Sequence, residues 1–220
     1  MEHKGKLVVV SGFSGAGKGT LMKALLAAYP DRYALSVSAT TRKPRPGEQD
    51  GVDYFFVTDD AFSKMIHEDA FLEYAQYVSH SYGTPRSYVE ENLNAGKNVI
   101  LEIEIQGALK VKEKIKDAVL MFVTAPDAQI LKDRLVGRGT ETPEVIAARL
   151  ARACEESEGI ENYDYLVVND TVEHAAGLID QLIQDEQTGC TDADASYRVS
   201  TNIDFINHMR EEFQSFSKGE

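Results

Sequence analysis

"VVVSGFSGAGKGTLMKALL", residues 8–26, joins an apolar, β-branched run to a helix-forming segment through three glycines, Gly12, Gly15 and Gly17. The apolar run predicts a strand that is buried on both faces. Glycines allow backbone N–H groups to point at one anion, and the helix that follows adds its positive N-terminus. Lys18 stands where its ammonium group can reach terminal phosphates. Because strand, glycines, lysine and helix occur in this order, the stretch predicts a phosphate-binding loop rather than an ordinary glycine-rich turn.

The residue after the lysine departs from the usual pattern of such loops. Gly19 occupies the position where Ser or Thr ordinarily supplies a hydroxyl to Mg²⁺, and Thr20 follows it. The sequence therefore assigns no direct protein ligand to a metal ion. The residues expected to bind a nucleoside triphosphate are Gly12, Ser14, Gly15, Ala16, Gly17, Lys18, Gly19 and Thr20.

Apolar runs and helical patterns alternate along most of the chain. Strands are predicted at residues 7–10, 35–37, 99–103, 119–123 and 166–168. Helices are predicted at residues 20–29, 108–116, 128–136, 143–158 and 172–183. Alternation of this kind is typical of a parallel sheet with right-handed crossovers. The predicted fold class is therefore α/β, with a five-stranded parallel sheet flanked by helices.

The segment between the second and third strands is too long for a single crossover. Its patterns predict further strands and helices, at residues 54–57, 59–69, 71–77 and 84–94. We expect residues 40–96 to form a small inserted α+β lobe on a core made of residues 1–39 and 97–186.

The end of the chain has a different texture from the rest. After a polar stretch that begins near residue 187, Ile206, Met209, Phe213 and Phe216 recur at helical spacing. We expect residues 187–220 to be a C-terminal extension whose amphipathic helix docks on the body or on a second subunit.

The net charge of the chain argues against several classes of binding partner. The 220 residues carry a formal net charge of −13, and nucleic acids and anionic membranes attract proteins with a positive field instead. Cys154 and Cys190 lack CxxC spacing and are expected to be ordinary thiols. No apolar run has the length of a secretion signal or of a membrane span, so we expect a cytoplasmic protein.

A cluster of cations stands out against this acidic background. Arg42, Lys43 and Arg45 fall within four positions, and the neighbouring prolines stiffen the loop that carries them. Arginine forks suit the geometry of a phosphate. Since the cluster follows the second strand, it is expected at the carboxyl edge of the sheet, beside the phosphate-binding loop. A second anion site is predicted there.

Two acids lie at the end of the third predicted strand. Glu102 and Glu104 alternate with apolar residues, which places both carboxylates on one face. Burying unpaired carboxylates is costly, so the pattern argues against simple core packing.

Five segments, in this order behind the phosphate-binding loop, resemble the guanylate kinase family over about residues 5–183. They are "SVSATTRKPRPGEQDGVDYFFV", "FLEYAQY", "YGTP", "LEIEIQG" and "RLVGRGTET". The resemblance implies a P-loop kinase fold with a GMP-binding lobe and a lid. It also implies phosphorylation of GMP by ATP in a direct in-line transfer, with dGMP as a further acceptor and Mg²⁺ carried by the ATP phosphates.

The resemblance implies nine GMP-binding residues: Ser38, Arg42, Arg45, Tyr54, Glu73, Tyr82, Thr84, Glu102 and Glu104. Arginines and tyrosines of this set correspond to the groups that hold the GMP phosphate. Glu73 corresponds to the acid that faces guanine, where a carboxylate can accept hydrogen bonds from N1–H and from the 2-amino group. Adenine presents a bare acceptor at N1 and would be repelled. Glu104 stands where the family usually has Asp.

The lid implied by the resemblance covers about residues 137–149. Together with the phosphate-binding lysine, its arginines would neutralise charge during transfer. The implied catalytic residues are Lys18, Arg42, Arg134, Arg138 and Arg149, and Arg134 and Arg138 are also expected to bind ATP. No general base is required, because a nucleotide monophosphate is already mostly a dianion at neutral pH.

Two rival interpretations remain at this point. The phrase "GAGKGT" also suits an adenylate kinase, although Glu73 and the paired tyrosines favour GMP. Guanylate-kinase-like domains of scaffold proteins bind phosphopeptides without catalysis, but they typically lack an intact phosphate-binding loop. The sequence leaves open whether the protein is a monomer or a homodimer.

Overall fold

The computed structural model describes residues 4–77, 79–136, 153 and 157–218 of the chain. Its strands are β1 (Leu7–Gly12), β2 (Tyr33–Leu35), β3 (Ala39–Thr40), β4 (Phe55–Phe56), β5 (Phe71–Tyr77), β6 (His80–Pro85), β7 (Asn98–Glu102), β8 (Val119–Thr124) and β9 (Tyr165–Val168). The α-helices of this part of the chain are α1 (Lys18–Ala28), α2 (Asp59–His67), α3 (Arg86–Asn94), α4 (Ile105–Lys114), α5 (Ala128–Val136), α6 (Val172–Thr188) and α7 (Ile203–Lys218).

The central sheet has five parallel strands in the order β2-β7-β1-β8-β9. Strand β1 lies in the middle, where Val9 pairs with Leu101 on one side and with Leu120 on the other. Val8 and Val10 are fully buried, as the continuous apolar run predicts for a strand covered on both faces. The predicted α/β class and the five-stranded parallel sheet are confirmed.

A second sheet, in the order β4-β3-β6-β5, is built from the chain between β2 and β7. It has a small core of its own, made of Ala39, Phe62 and Phe71. Within this sheet Glu73 of β5 lies opposite Thr84 of β6. This antiparallel pairing brings the two polar side chains together, a fact that matters for the site described below.

Several boundaries differ from those predicted, and three of these differences concern β2 and the residues of the site. Strand β2 spans Tyr33–Leu35 rather than 35–37. The polar hydroxyl of Tyr33 gave no sign that this residue is buried, and it is only 2% exposed. The predicted helix 84–94 begins at Arg86, since Thr84 is the partner of Glu73 in β6. Strand β7 ends at Glu102, so Glu104 lies outside the strand as the N-cap of α4.

The predicted helix 143–158 lies almost wholly outside the described residues. Strands β3 and β6 were not predicted. Strand β3 has two residues, and β6 carries the glycine and proline of "HSYGTP", which weaken a strand pattern.

The C-terminal extension folds back onto the central domain. Helix α6 continues to Thr188, two 3₁₀ turns follow at Thr191–Tyr197 and Val199–Thr201, and α7 then covers the residues of the predicted amphipathic helix. Its Ile206, Met209 and Phe213 are buried in the main core. Among the described helices, none combines the length and the apolar character needed to cross a bilayer.

A buried acid links the edge of the sheet to α6. Asp180 accepts hydrogen bonds from the Tyr33 hydroxyl at 2.6 Å and from Nη1 of Arg32 at 3.0 and 3.1 Å. The Asp180 side chain is 13% exposed. Burial and the bond to Asp180 raise the pKa of the Tyr33 hydroxyl. The contact fixes β2 against the helix that packs on α1.

We expect Asp180→Ala to lower the free energy of unfolding by about 1–3 kcal/mol, because it leaves the Tyr33 hydroxyl without its acceptor. Gln181→Ala, at an exposed position next along α6, should change it by less than about 0.5 kcal/mol. Urea denaturation followed by circular dichroism measures both. Equal midpoints for the wild type and Asp180→Ala would show that this contact does not anchor β2.

Candidate active site

The loop of residues 12–17, called the P-loop below, leaves β1 at a point of very close backbone contact. A Cβ atom on Gly12 would lie 2.1 Å from the carbonyl oxygen of Val123 in β8. At the other end Gly17 has φ of 87° and is the N-cap of α1, a conformation that favours glycine. These two glycines set the path by which the strand turns into the helix.

Lys18 folds back over the P-loop. Its Nζ donates to the carbonyl oxygen of Gly12 at 2.7 Å and to that of Phe13 at 3.1 Å. The ammonium group and the positive N-terminus of α1 thus lie at one concave turn of backbone, which is the arrangement that attracts phosphate groups.

Asn169, directly after β9, supports the P-loop and was missed by the sequence analysis. Its Nδ2 donates to the Ala16 carbonyl oxygen at 2.7 Å, and its own carbonyl oxygen accepts from Nη2 of Arg134 at 3.0 Å. The side chain is buried. One residue therefore ties the loop to an arginine of α5. A polar residue directly after the apolar run "YLVV" was the available signal.

A cavity of about 350 Å³ lies beside this loop, between the second sheet and the start of α4. This volume is in the range of small-molecule sites. Six of the nine residues predicted for GMP line it: Ser38, Tyr54, Glu73, Tyr82, Glu102 and Glu104. Glu73, Tyr82 and Glu102 come from β5, β6 and β7, and the other three lie directly before β3, β4 and α4.

Glu73 is the most buried acid of the cavity, with 7% exposure. The Thr84 hydroxyl donates to its Oε1 at 2.8 Å. Burial raises the pKa of the Glu73 carboxyl, while the bond from Thr84 and the charge of Lys110 lower it. On the other side, a Cβ on Gly107 of α4 would lie 3.0 Å from Oε2. The Thr84 hydroxyl therefore orients the carboxylate, and the absence of a side chain at Gly107 leaves room for it beside α4.

Glu102 links the cavity to the P-loop. It is exposed to the open cavity. Desolvation by the surrounding protein nevertheless raises the pKa of the Glu102 carboxyl, and the Lys18 ammonium opposes this rise. The acid of the cavity and the lysine of the loop are thus within electrostatic reach of each other. Glu104 also lines the cavity, from the N-cap of α4 rather than from the strand.

Arg42 is held by Glu48, an acid that the sequence analysis did not select. The Glu48 carboxylate accepts from Nη1 of Arg42 at 2.9 Å and from Nη2 at 2.8 Å, and it also accepts from the Arg45 backbone N–H at 2.7 Å. The Arg42 guanidinium lowers the pKa of the Glu48 carboxyl. The available signal was an acid six residues after Arg42 in the same loop.

The Arg42 guanidinium lies over the Tyr54 ring, 5.2 Å from its centroid, and the Tyr54 and Tyr82 rings are 6.1 Å apart. Arg42, Tyr54 and Tyr82 therefore form one cluster at the edge of the cavity. The Arg45 side chain is exposed on the same loop. Arg138 and Arg149 fall outside the described residues, as does the predicted lid.

Comparison with known proteins identifies the family. The model of the guanylate kinase family matches residues 4–186. The chain belongs to the guanylate kinase family. ATP-dependent phosphorylation of GMP is the known activity of this family, so the adenylate kinase alternative is set aside.

Relatives of this guanylate kinase family member match it over nearly their whole length. A guanylate kinase of Lactococcus lactis is 50% identical over 209 residues, which are 95% of this chain and 97% of the relative. One of Streptococcus agalactiae is 52% identical over 212 residues, 96% and 97% of the two chains. The crystal structure of guanylate kinase from Anaplasma phagocytophilum superposes with a TM-score of 0.67 at 31% identity, covering 84% of this chain and 88% of that one.

The first of these alignments extends into the C-terminal extension. The family model stops at residue 186, whereas the Lactococcus relative matches 209 residues of this chain. Because at most 186 of these 209 residues can lie at or before residue 186, at least 23 matched residues lie beyond it.

We expect Glu48→Ala to raise the KM for GMP about tenfold to a hundredfold, since small displacements of a group that positions substrate have effects of this size. Arg42 would lose the carboxylate that orients its fork, and the KM for ATP should stay within about twofold. Glu90→Ala, which removes an exposed carboxylate from α3, is the control. Steady-state kinetics with each substrate varied in turn measures both constants. An unchanged KM for GMP would rule out this role of Glu48.

Proposed function

We propose that this chain transfers the γ-phosphoryl group of Mg–ATP to GMP, and to dGMP as a further acceptor, by direct in-line displacement. The observation that carries the proposal is the junction of two dissimilar sites. A buried carboxylate, Glu73, lies in the same cavity as Glu102, and Glu102 pairs with Val10 of β1, two residues before the P-loop begins. A base-selecting pocket and a phosphate-binding loop therefore adjoin.

ATP occupies the donor side in this proposal. The backbone of the P-loop and the first turn of α1 surround its phosphates, through Gly12, Ser14, Gly15, Ala16, Gly17, Lys18, Gly19 and Thr20. The Lys18 ammonium exchanges the carbonyl oxygens of Gly12 and Phe13 for phosphate oxygens, which are stronger acceptors. Arg134, whose position depends on Asn169, adds positive charge from α5. Arg138 and Arg149 act from the proposed lid.

Mg²⁺ enters this reaction as part of the Mg–ATP substrate. In the part of the chain that the structure describes, no three His, Cys, Asp or Glu side chains converge on a point where they could hold a metal ion. Gly19 has no side chain to offer, and the space around it is open. Mg²⁺ is usually held chiefly by phosphate oxygens and water, and we assign it no direct protein ligand.

GMP occupies the cavity, with guanine at its buried end. Oε1 of Glu73 is already occupied by the Thr84 hydroxyl, which leaves lone pairs of the carboxylate for guanine N1–H and the 2-amino group. Ser38 lies at the same cavity. Adenine has a bare acceptor at N1, so it would face a carboxylate without a proton between them. Sites that depend on hydrogen bonds in this way reject the wrong partner by about 10⁴ or more.

The phosphate of GMP lies at the other end of the cavity. The Tyr54 and Tyr82 hydroxyls are proposed to donate to it, together with the edge of Arg42 that faces away from Glu48. Arg45 joins them from the same loop when the nucleotide binds. Glu102 and Glu104 border the space between the two nucleotides. The acceptor oxygen needs no protein base, because it is already mostly ionised at neutral pH.

The division of the chain follows from these assignments. We propose a guanylate kinase domain at residues 1–186, with its core at 1–39 and 97–186, a GMP-binding lobe at 40–96 and a lid at about 137–149. Residues 187–220 form the extension. A cytoplasmic location, and a monomer or homodimer as the working form, remain predictions.

A release assay for ADP with four nucleoside monophosphates tests the function. With Mg–ATP, kcat/KM for GMP should exceed that for AMP by about 10⁴, and CMP and UMP should be poor acceptors. Lys18→Ala should abolish transfer yet still bind GMP in a direct titration, which separates the two sites. Comparable turnover of AMP and GMP would refute the proposed acceptor.

Glu73→Gln should lower kcat/KM for GMP about 10-fold to 150-fold, since hydrogen bonds to a charged group contribute about 1.5–3 kcal/mol. The affinity for ATP should change by less than about twofold. Glu68→Gln, which removes an exposed acid at the end of α2, serves as the matched control. If Glu73→Gln weakens ATP and GMP alike, Glu73 does not read the guanine base.

A further inference from the structure

The C-terminal helix α7 lies beyond the residues that the family model matches, yet one of its side chains packs on the P-loop. Phe13 stands between Gly12 and Ser14 and is 2% exposed. Its ring meets Phe122 of β8 edge-on at 4.9 Å and Phe213 of α7 at 5.0 Å. Phe213 is itself fully buried. Phe13 thus packs the P-loop against two aromatic rings, and one of them, Phe213, belongs to the C-terminal extension.

Phe13 is the one large apolar side chain in the sequence of residues 12–17, where the others are Gly, Ser and Ala. Small residues make few packing contacts, so the conformation of the P-loop depends strongly on how the Phe13 ring is packed. The two carbonyl oxygens that hold the Lys18 ammonium belong to Phe13 and its neighbour Gly12. A change in the packing of Phe13 would therefore move the carbonyl oxygens that hold the Lys18 ammonium, which is the group proposed to bind phosphate.

Arg210 gives α7 a second connection to the nucleotide-binding side. It donates to the backbone oxygen and the side chain of Ser157, and it forms an ion pair with Glu161 at 2.6 Å. The Arg210 guanidinium lowers the pKa of the Glu161 carboxyl. Ser157 is 3% exposed. Ser157 and Glu161 come after the proposed lid in the sequence, and Arg210 attaches both of them to α7.

Helix α5 is the third element in contact with α7. Nζ of Lys132 lies 4.3 Å from the centroid of the Phe216 ring, and α5 also carries Arg134. The three contacts of α7 thus involve the P-loop, the chain after the proposed lid and the helix of Arg134. All three belong to the donor side, and none of the residues named lines the cavity assigned to GMP.

We propose that α7 is a positioning element of the ATP site, which holds the P-loop through Phe213 and the residues Ser157 and Glu161 through Arg210. The inference rests on the proposed function, because it assigns α7 a task in binding the donor. It goes beyond that function in making the extension necessary for ATP affinity. The acceptor site should not depend on α7.

Titration calorimetry with the full-length protein tests this inference. The ligands are a non-hydrolysable ATP analogue with Mg²⁺ and, separately, GMP, at a temperature well below the unfolding midpoint of each variant. Phe213→Ala should raise the Kd for the ATP analogue about tenfold or more, with the Kd for GMP within about twofold of the wild type. Phe213→Leu should recover most of the loss.

Val199→Ala is the matched control, because Val199 is a buried apolar residue of the same extension, 1% exposed, whose backbone N–H bonds to Asp164. It should lower the unfolding midpoint while leaving the ratio of the two Kd values unchanged. A purely structural role of α7 predicts instead that Phe213→Ala and Val199→Ala behave alike, and this result would overturn the inference.

Arg210→Gln provides a second test that spares the core, and it decides the matter if Phe213→Ala does not fold. It should weaken the ATP analogue and not GMP, and an ATP affinity equal to that of the wild type would contradict the proposal. Failure of the function itself looks different, because the wild type would then fail to phosphorylate GMP. A wild type that phosphorylates GMP, with variants of unchanged ATP affinity, refutes only the role of α7.

Discussion

The close approach of β1 to β8 at Gly12 is the constraint on which both proposed nucleotide sites depend. A Cβ atom at Gly12 would lie 2.1 Å from the carbonyl oxygen of Val123. Only glycine therefore allows β1 to pair with β8 in this register as far as the carboxyl end of the sheet. From that point the chain turns into α1, which places Lys18 over the loop. Strand β7, paired with β1 on its other side, ends at Glu102. One pairing geometry thus sets the donor loop and the wall of the acceptor cavity side by side.

A chain with a net charge of −13 can bind two anionic nucleotides because its cations act locally. Lys18 is held by two carbonyl oxygens, and Arg42 by the Glu48 carboxylate. Charges farther away are screened over about 8 Å at physiological ionic strength, so the distant acids have little influence on a bound phosphate. The partners of each cation fix its direction, and the proposed binding of phosphate depends on this orientation more than on the overall field of the protein.

The sequence predicted the features that depend on neighbours along the chain. Continuous β-branched runs such as residues 8–10 indicated buried strands, and the glycines with Lys18 indicated the phosphate-binding loop. The identity of a partner far away in the sequence was not accessible. Asn169 donates to Ala16 across 153 residues, and the hydroxyl of buried Tyr33 donates to Asp180 across 147 residues. The spacing of Phe213 predicted a helix face but could not show that Phe13 of the P-loop lies beneath it.

The central claim is that a donor site on the P-loop and a guanine-selecting acceptor site lie end to end. The most direct test is the affinity of a single molecule that joins adenosine and guanosine through five phosphates. If the sites adjoin, this compound should bind about 10² to 10⁴ times more tightly than the better of ATP and GMP alone, as expected for linked ligands. The matching compound with two adenosines should lose most of that gain. Binding of the mixed compound no tighter than ATP itself would contradict the account.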